Sequence, residues 1–266
     1  MQLNNLFNKL WQQYTNESPQ ALEIYNLFKS CGEEVINDHI AIRTFDDPRV
    51  NVQKLGKFFE LLGYKACGEY KFIEKMLYAK HFEHEIDFKQ PKIFISELKT
   101  KKFSHFLQEQ AKTCVDRIPT SLINSYDLLY SGSSWGELDY DIYNKLLSES
   151  EYMAWMYVFG YRANHFTISV NDLKNFKSIE DINNFLKQHN FKLNNSGGEI
   201  KGTPNELLEQ SSTIANKVAI KFKQGTFEIL NSYYEFAKRY PSETGKLYQG
   251  FIAKSADKIF ESTNVL

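Results

Sequence analysis

Cysteine is scarce in this sequence of 266 residues, which contains only three, at Cys31, Cys67 and Cys114. These three are widely spaced and form no Cys-x-x-Cys pair. An odd number spread in this way gives no plausible disulfide framework. We therefore predict reduced thiols and a cytoplasmic protein.

Long hydrophobic runs and an excess of one charge are also missing. No apolar segment approaches the roughly 18 residues of a membrane span, and the N-terminal segment MQLNNLFNKLWQQY is amphipathic, unlike a signal peptide. The formal net charge is −1, with acids and bases interspersed. Neither a nucleic-acid partner nor a membrane partner is predicted. The sequence also lacks a P-loop, a dinucleotide-binding glycine pattern and a GxSxG elbow, which argues against the corresponding enzyme classes.

The composition, with 42% hydrophobic and 15% aromatic residues, indicates a globular protein. One stretch, residues 37–45 (NDHIAIRTF), alternates polar and apolar positions and predicts a strand. Side chains change face at every step along a strand, so His39, Ala41 and Arg43 share one face. The Cα atoms of His39 and Arg43 would be about 13 Å apart, which suits a metal at one residue and a distant anion at the other. The alternative is a half-buried strand whose polar face meets solvent.

A second strand with an early histidine, His165, is predicted at residues 163–170 (ANHFTISV). In both halves the histidine strand precedes an amphipathic helix, and an aromatic residue followed by lysine comes after the helix, at Tyr64 and at Phe191. The two spacings are nearly equal. Residues 178–181 have the form of a capping box that opens the second helix.

Further strands are predicted around residues 69–73, 76–82 and 92–98 in the first half, and at 211–221 and 226–233 in the second. The last strand of each half carries a glutamate, Glu97 or Glu228. Similar elements in the same order predict two related βαβββ modules.

The predicted fold class is α+β, with the paired modules forming a curved, barrel-like sheet and additional helices outside it. We predict one domain with five segments: N-terminal helices (1–36), a first module (37–100), a helical insertion (101–160), a second module (161–240) and a C-terminal segment (241–266). The insertion is expected to pack as a helical layer or a lid.

His39, His165 and Glu228 are the candidate metal ligands. Two neutral imidazoles and one carboxylate form a facial triad, which holds Fe(II) or a similar divalent ion and leaves about three coordination positions open. Each residue alone also has a structural explanation, as a hydrogen-bonded histidine or a solvated strand glutamate. The joint pattern of two strand-borne histidines and a late glutamate favours the metal site.

The segments NDHIAIRTF, RANHFTISV, TFEIL and FIAKSADKIFEST resemble the iron-dependent 2-oxoadipate dioxygenase/decarboxylase family. That family makes D-2-hydroxyglutarate and is similar in architecture to the vicinal oxygen chelate superfamily. The resemblance runs from His39 to the C-terminus. It implies that His39, His165 and Glu228 bind Fe(II), with Zn, Ni or Mn as other metals that a purified sample could hold. It also implies that Arg43 binds substrate, with further contacts at Lys254 and Ser255.

The implied reaction converts a 2-oxo dicarboxylate, 2-oxoadipate, to D-2-hydroxyglutarate and CO2 with dioxygen as co-substrate, in lysine catabolism. The 2-oxo acid would chelate the metal held by His39 and His165 through its carboxylate and keto oxygen, and Arg43 would clamp a carboxylate in a bidentate geometry. Glu97, the counterpart of Glu228, could be a fourth ligand, a residue that supports a histidine from behind or a structural residue, and we favour the supporting role. The sequence departs from the family in its compact C-terminal part and in Lys254, which replaces an apolar residue.

Two other functions remain open from the sequence. One is a different metal-dependent enzyme on the same scaffold, an isomerase or hydrolase that uses Zn or Ni. The other is a non-catalytic binding module without metal. The sequence assigns no oligomeric state.

Overall fold

Eight strands form one sheet at the centre of the molecule. The computed structural model describes residues 2–263, so residue 1 and residues 264–266 of the predicted terminal segments lie outside the described residues. The strands in the described part of the chain are β1 (Asn37–Phe45), β2 (Tyr64–Phe72), β3 (Leu77–His84), β4 (Lys92–Leu98), β5 (Ala163–Ser169), β6 (Lys201–Thr203), β7 (Leu208–Ser212), β8 (Lys217–Phe222), β9 (Gly225–Leu230) and β10 (Glu235–Arg239).

The α-helices of residues 2–263 lie outside this sheet. They are α1 (Leu3–Glu17), α2 (Pro19–Ser30), α3 (Val52–Glu60), α4 (His105–Asp116), α5 (Thr120–Ile123), α6 (Tyr140–Glu149), α7 (Glu151–Phe159), α8 (Ile179–Gln188) and α9 (Ala253–Phe260). Among the described residues, no helix has the length and apolar character needed to cross a bilayer. The predicted capping box of α8 is confirmed, because Ser178 and Asp181 exchange side-chain-to-backbone hydrogen bonds.

The strand order, β2-β3-β4-β1-β5-β10-β7-β6, is symmetric about the central pair of β1 and β5. β1 is parallel to β4 on one side, and β5 is parallel to β10 on the other. The remaining neighbours within each half are antiparallel. Parallel neighbours need a crossover connection, which begins with α3 in the first half and α8 in the second. The predicted α+β fold with two βαβββ modules in one curved sheet is confirmed.

A hairpin interrupts the second module. The sequence prediction did not distinguish its strands from those of the main sheet. β8 and β9 pair with each other outside the main sheet, between β7 and β10 in sequence. The predicted strand 211–221 therefore spans the end of β7, a loop and most of β8. The hairpin alternates like a sheet strand because one face packs on α6, where the rings of Phe227 and Tyr140 stack at 3.6 Å.

The helices of residues 101–160 include α7, which is buried on every side from residue 152 to residue 159. Tyr152 Oη donates a hydrogen bond to the Ser96 carbonyl at 2.6 Å, in the first module. Trp155 Nε1 donates to the Asn231 carbonyl at 2.7 Å, in the second. Since these bonds tie α7 to both halves of the sheet, this part of the chain is a packed layer behind the central strands.

Candidate metal centre

The two histidine strands are neighbours at the centre of the sheet. β1 and β5 run antiparallel, with Ala41 opposite His165 and His39 opposite Thr167. The histidines are therefore diagonal neighbours on the same face. Across β5, Glu235 of β10 also lies opposite Thr167. Two imidazoles and one carboxylate meet around this threonine.

The side chains of His39, His165 and Glu235 converge on one point. His165 Nε2 lies 3.0 Å from one carboxylate oxygen of Glu235, and His39 Nε2 lies 3.6 Å from the other. One ligand atom from each residue lies within 4.8 Å of the other two, and all three residues are buried. This donor set is that of a facial triad, which binds a divalent metal and leaves positions for other ligands.

Each histidine is oriented by the side chain of the residue before it. Asp38 accepts a hydrogen bond from His39 Nδ1 at 2.7 Å, and Asn164 accepts one from His165 Nδ1 at 3.0 Å. These partners assign the tautomer and leave Nε2 of each ring unprotonated as the ligand atom, with the Thr167 hydroxyl donating a hydrogen bond to His39 Nε2 at 3.0 Å. Arg239 holds Asp38 through two hydrogen bonds of 2.6 and 2.9 Å. Burial favours the neutral acid, but the charges of Arg239 and Lys92 and the hydrogen bonds from His39 and Arg239 together outweigh burial and keep the pKa of Asp38 well below its usual value.

The electrostatics favour the metal-binding protonation states of His165 and Glu235. Burial lowers the pKa of His165, and the neighbouring His39 and Arg43 lower it further against the opposing effect of Glu235. Burial would raise the pKa of Glu235, yet the two histidines and the Gln210 amide hold it below its ordinary value. A neutral imidazole and an ionised carboxylate are the forms that coordinate a metal.

The prediction of Glu228 as a metal ligand is wrong. It is exposed on β9 and pairs with Ala219 in the separate hairpin. The last sheet strand of the second module is β10, so Glu235 takes the place expected for Glu228. The sequence does indicate a strand face at Glu235, because the aromatic residues Tyr234 and Phe236 flank it and would point to the opposite face.

Glu97 does not support a histidine as predicted. Its carboxylate accepts hydrogen bonds from the Val52 backbone N–H and from Lys99, both at 2.9 Å. It therefore anchors the first turn of α3. The parallel register places Phe94 opposite Ala41, and this is the first-module counterpart of Glu235 opposite Thr167. The first module offers an aromatic ring at the position where the second offers a carboxylate.

Arg43 is buried on the same strand as His39, and its guanidinium is held by several groups. Glu151 accepts a hydrogen bond from Nη1 at 3.0 Å, and Thr263 accepts one from Nη2 at 3.4 Å. The rings of Tyr152 and Trp155 lie 4.8 and 4.9 Å from the guanidinium carbon. Nε has no hydrogen-bond partner among residues 2–263. Arg43 is thus a fixed buried cation with one unused donor.

The two C-terminal residues with predicted substrate contacts lie in the first turn of α9. Ser255 is buried, whereas Lys254 is exposed. An exposed Lys254 side chain leaves only its backbone for a contact inside the molecule. Both substrate contacts remain predictions.

Three side chains that the sequence prediction did not include also contact the triad. Gln210 donates a hydrogen bond from Nε2 to Glu235 at 2.5 Å. The Tyr233 ring stacks on His165 with centroids 4.6 Å apart. The Phe251 ring meets His39 edge to face at 4.8 Å and covers the centre from the side of the first module.

The sequence of this chain is similar to those of relatives with known names. The family model for 2-oxoadipate dioxygenase/decarboxylase matches residues 2–247. A 2-oxoadipate dioxygenase/decarboxylase from Arabidopsis thaliana is 34% identical over 279 residues, covering 94% of this chain and 74% of the relative. That plant protein is described as chloroplastic, so the cytoplasmic location of this chain stays a prediction.

Solved structures give the same picture at the level of the fold. The hydroxyglutarate synthase from Oryza sativa, in complex with 2-oxoadipate, has a TM-score of 0.91 and 33% identity, covering 97% of this chain and 91% of that one. A protein from Shewanella frigidimarina, provisionally described as a hydrolase, has a TM-score of 0.89 and 50% identity, covering 94% and 97%. A glyoxalase-superfamily structure from Ralstonia eutropha shares the fold at a TM-score of 0.77 and 19% identity, covering 92% and 84%.

Since the family model spans most of the sequence and the Arabidopsis relative covers nearly all of it, the chain belongs to the 2-oxoadipate dioxygenase/decarboxylase family of enzymes.

Proposed function

We propose that this protein is an Fe(II)-dependent dioxygenase and decarboxylase that converts 2-oxoadipate to D-2-hydroxyglutarate and CO2. The observation that carries the proposal is the buried, pre-oriented set of His39, His165 and Glu235. Family membership and the 2-oxoadipate in the rice structure support the substrate class. The reaction balances without an external reductant, because one oxygen atom enters the new carboxylate and the other the hydroxyl group.

The ligand set suits Fe(II) and would also hold Zn, Ni or Mn. Bound Fe(II) would supply a Lewis acid for the 2-oxo acid and a redox centre for dioxygen. The contribution of this chain is to hold both imidazoles by Nδ1, so that no rotation of the rings is needed when the metal binds.

Unpaired polar atoms around the triad support a polar substrate. The side-chain oxygen of Gln210, the hydroxyl of Tyr233 and Nε of Arg43 are buried and lack hydrogen-bond partners among residues 2–263. A buried polar group without a partner costs about 1–3 kcal/mol. Gln210 and Tyr233 also contact Glu235 and His165 directly. We infer that oxygen atoms of the substrate accept hydrogen bonds from the Tyr233 hydroxyl and from Arg43 Nε, whereas the Gln210 oxygen, which is an acceptor, pairs with a donor such as a bound water.

Arg43 would bind the carboxylate at the far end of the substrate. Tyr152 and Trp155 fix the plane of its guanidinium, which favours a bidentate partner of defined orientation. In the free protein, the Glu151 carboxylate accepts the hydrogen bond from Nη1. A substrate carboxylate would take the unused Nε and compete with Glu151 for the rest of the guanidinium. Because His39 and Arg43 are four residues apart on β1, a dicarboxylate fits this arrangement better than a monocarboxylate.

The test begins with protein that is stripped of metal and reloaded with Fe(II) under anaerobic conditions. On addition of dioxygen and 2-oxoadipate, we expect equal consumption of dioxygen and release of CO2, with D-2-hydroxyglutarate as product. Glu235→Gln should abolish this turnover. The matched variant Glu228→Gln alters an exposed glutamate on β9 and should retain it. Wild-type activity in Glu235→Gln, or product formation without dioxygen, would contradict the proposal.

A metal-dependent hydrolase is the second candidate. It is favoured by the description of the Shewanella frigidimarina protein and by the use of two histidines and a glutamate in zinc hydrolases. Zn-loaded protein would then cleave esters or amides in the absence of dioxygen, whereas the dioxygenase would be inactive with Zn.

A further inference from the structure

A second group of metal-binding side chains lies on β2 and β3, the outer strands of the first module. Cys67, His81 and Glu83 each offer one ligand atom, and these atoms all lie within 4.8 Å of one another. The thiol is exposed, the imidazole is buried and the carboxylate is half-buried. None of these residues belongs to the triad.

A β-bulge brings the thiol into this group. Ala66 pairs with Phe82 and Gly68 pairs with His81, so Cys67 is an extra residue on β2. A bulge interrupts the strict alternation of side chains and can redirect one of them. Gly68 leaves room for the imidazole, since a Cβ atom there would lie 2.8 Å from the His81 ring.

The imidazole of His81 is held in place from behind. Its Nδ1 lies 2.8 Å from the Tyr70 hydroxyl, and its Nε2 lies 3.0 Å from the Glu83 carboxylate. A hydroxyl on Nδ1 orients the ring with Nε2 toward the carboxylate, as the outer partners of metal-bound histidines do. The imidazole is therefore oriented before any ion arrives.

The Phe251 ring separates this group from the triad. It meets His81 at 5.4 Å and His39 at 4.8 Å, both edge to face. An ion at either place would have its own ligands. The chemistry of the two sets also differs, because the triad contains no sulfur.

We propose that Cys67, His81 and Glu83 form a second metal site, which takes Zn2+ with water as the fourth ligand. A thiolate, an imidazole and a carboxylate are the ligands that Zn2+ accepts in tetrahedral sites, and the thiolate disfavours Mg2+ and Ca2+. One thiolate and one carboxylate neutralise the charge of the ion, so no net charge is buried. The exposed thiol provides the entry path.

Binding requires a defined movement of protons. The Cys67 thiol loses its proton to solvent, and His81 Nε2 binds the ion through its lone pair. Nδ1 then carries the imidazole proton and donates to the Tyr70 oxygen. The Glu83 oxygen exchanges its hydrogen bond with His81 for a bond to the ion.

Cobalt(II) provides a specific probe of this site. A thiolate bound to Co2+ gives a charge-transfer band in the near ultraviolet, which the sulfur-free triad cannot produce. With the full chain and reduced thiols, we expect the band to reach the intensity of one thiolate-bound Co2+ per chain, whether or not the triad also holds Co2+, and to disappear on addition of Zn2+. Cys67→Ser should abolish the band. Tyr70→Phe should weaken Co2+ binding about 10- to 100-fold.

Two variants serve as controls. Cys31→Ser removes the other exposed cysteine and should keep the band. Glu235→Gln disables the triad and should also keep it, so this test is independent of the proposed function. The proposal is overturned if the wild type shows no band, if Cys67→Ser retains it or if Cys31→Ser loses it.

Thiol reactivity gives a second measurement. With Zn2+ present, alkylation of Cys67 should slow strongly while that of Cys31 should not change, as read from the modified peptides. Equal alkylation of Cys67 with and without Zn2+ would count against the site.

Discussion

At the scale of single residues, we expect substitution of Arg43 to separate substrate recognition from metal binding. It lies on the strand of His39 but makes its hydrogen bonds to Glu151 and Thr263, away from the ligand atoms. Arg43→Lys keeps the charge but loses the planar fork, and Arg43→Ala loses both. We expect both variants to bind metal, and turnover of 2-oxoadipate to fall, with a cost for Ala of about 2–5 kcal/mol in transition-state free energy.

The measurement combines metal content, melting temperature and oxygen uptake on the same preparations. Glu151→Gln is the control, because it removes the competing charge and retains the guanidinium. Normal oxygen uptake per folded, metal-loaded molecule in Arg43→Ala would show that the arginine only supports the fold.

The sequence predicted the positions of two of the three converging side chains. His39 and His165 could be found because alternation along a strand assigns them to a face without knowledge of the neighbouring strands. Glu235 could not be found in the same way, since its place depends on which strand closes the second module. Asp38 and Asn164 precede the histidines directly and were visible in the sequence, but their role depends on side-chain conformations.

At the scale of elements, β9 and β10 explain the misplaced ligand. Both are short, and both carry one glutamate. Periodicity reports only that one face is covered, and it cannot tell whether a sheet or a helix such as α6 covers it. The orientation of helix α7 could not be predicted from the sequence. Residues 152–159 are buried on every side of the helix, so the pattern predicts burial but does not indicate which side faces the sheet.

Helix α8, the crossover of the second module, offers a test of element stability. The Ser178 hydroxyl accepts a hydrogen bond from the Asp181 backbone N–H at 3.0 Å. The Asp181 carboxylate accepts hydrogen bonds from the backbone N–H groups of Lys177 and Ser178, just before the helix. Ser178→Ala should lower the free energy of unfolding by about 1 kcal/mol. Ser148→Ala, at an exposed position inside α6, should change it by less than about 0.5 kcal/mol. Denaturant titration compares the two, and equal losses would argue against the cap.

At the scale of the whole molecule, the triad joins the two modules. His39 comes from the first module, and His165 and Glu235 from the second. An ion bound to all three stabilises only the folded chain. At a free metal concentration about 100 times the dissociation constant, the gain is about 2.7 kcal/mol.

The melting temperature should therefore rise on metal loading and fall back on chelation. Glu235→Gln should remove most of this shift, whereas Glu228→Gln should preserve it. A full shift in Glu235→Gln would mean that the stabilising ion sits elsewhere.

We expect the contacts between β1 and β5 to form late during folding. His39 and Thr167 lie 128 positions apart in the chain, yet their side chains are 3.0 Å apart. Contacts between such distant positions form only after a large loop has closed, so they are slow and come late. Each module can gain its local strands first, but neither contains a complete ligand set. Iron bound at the triad would then report that the whole chain has been assembled, and partly folded chains would bind it weakly.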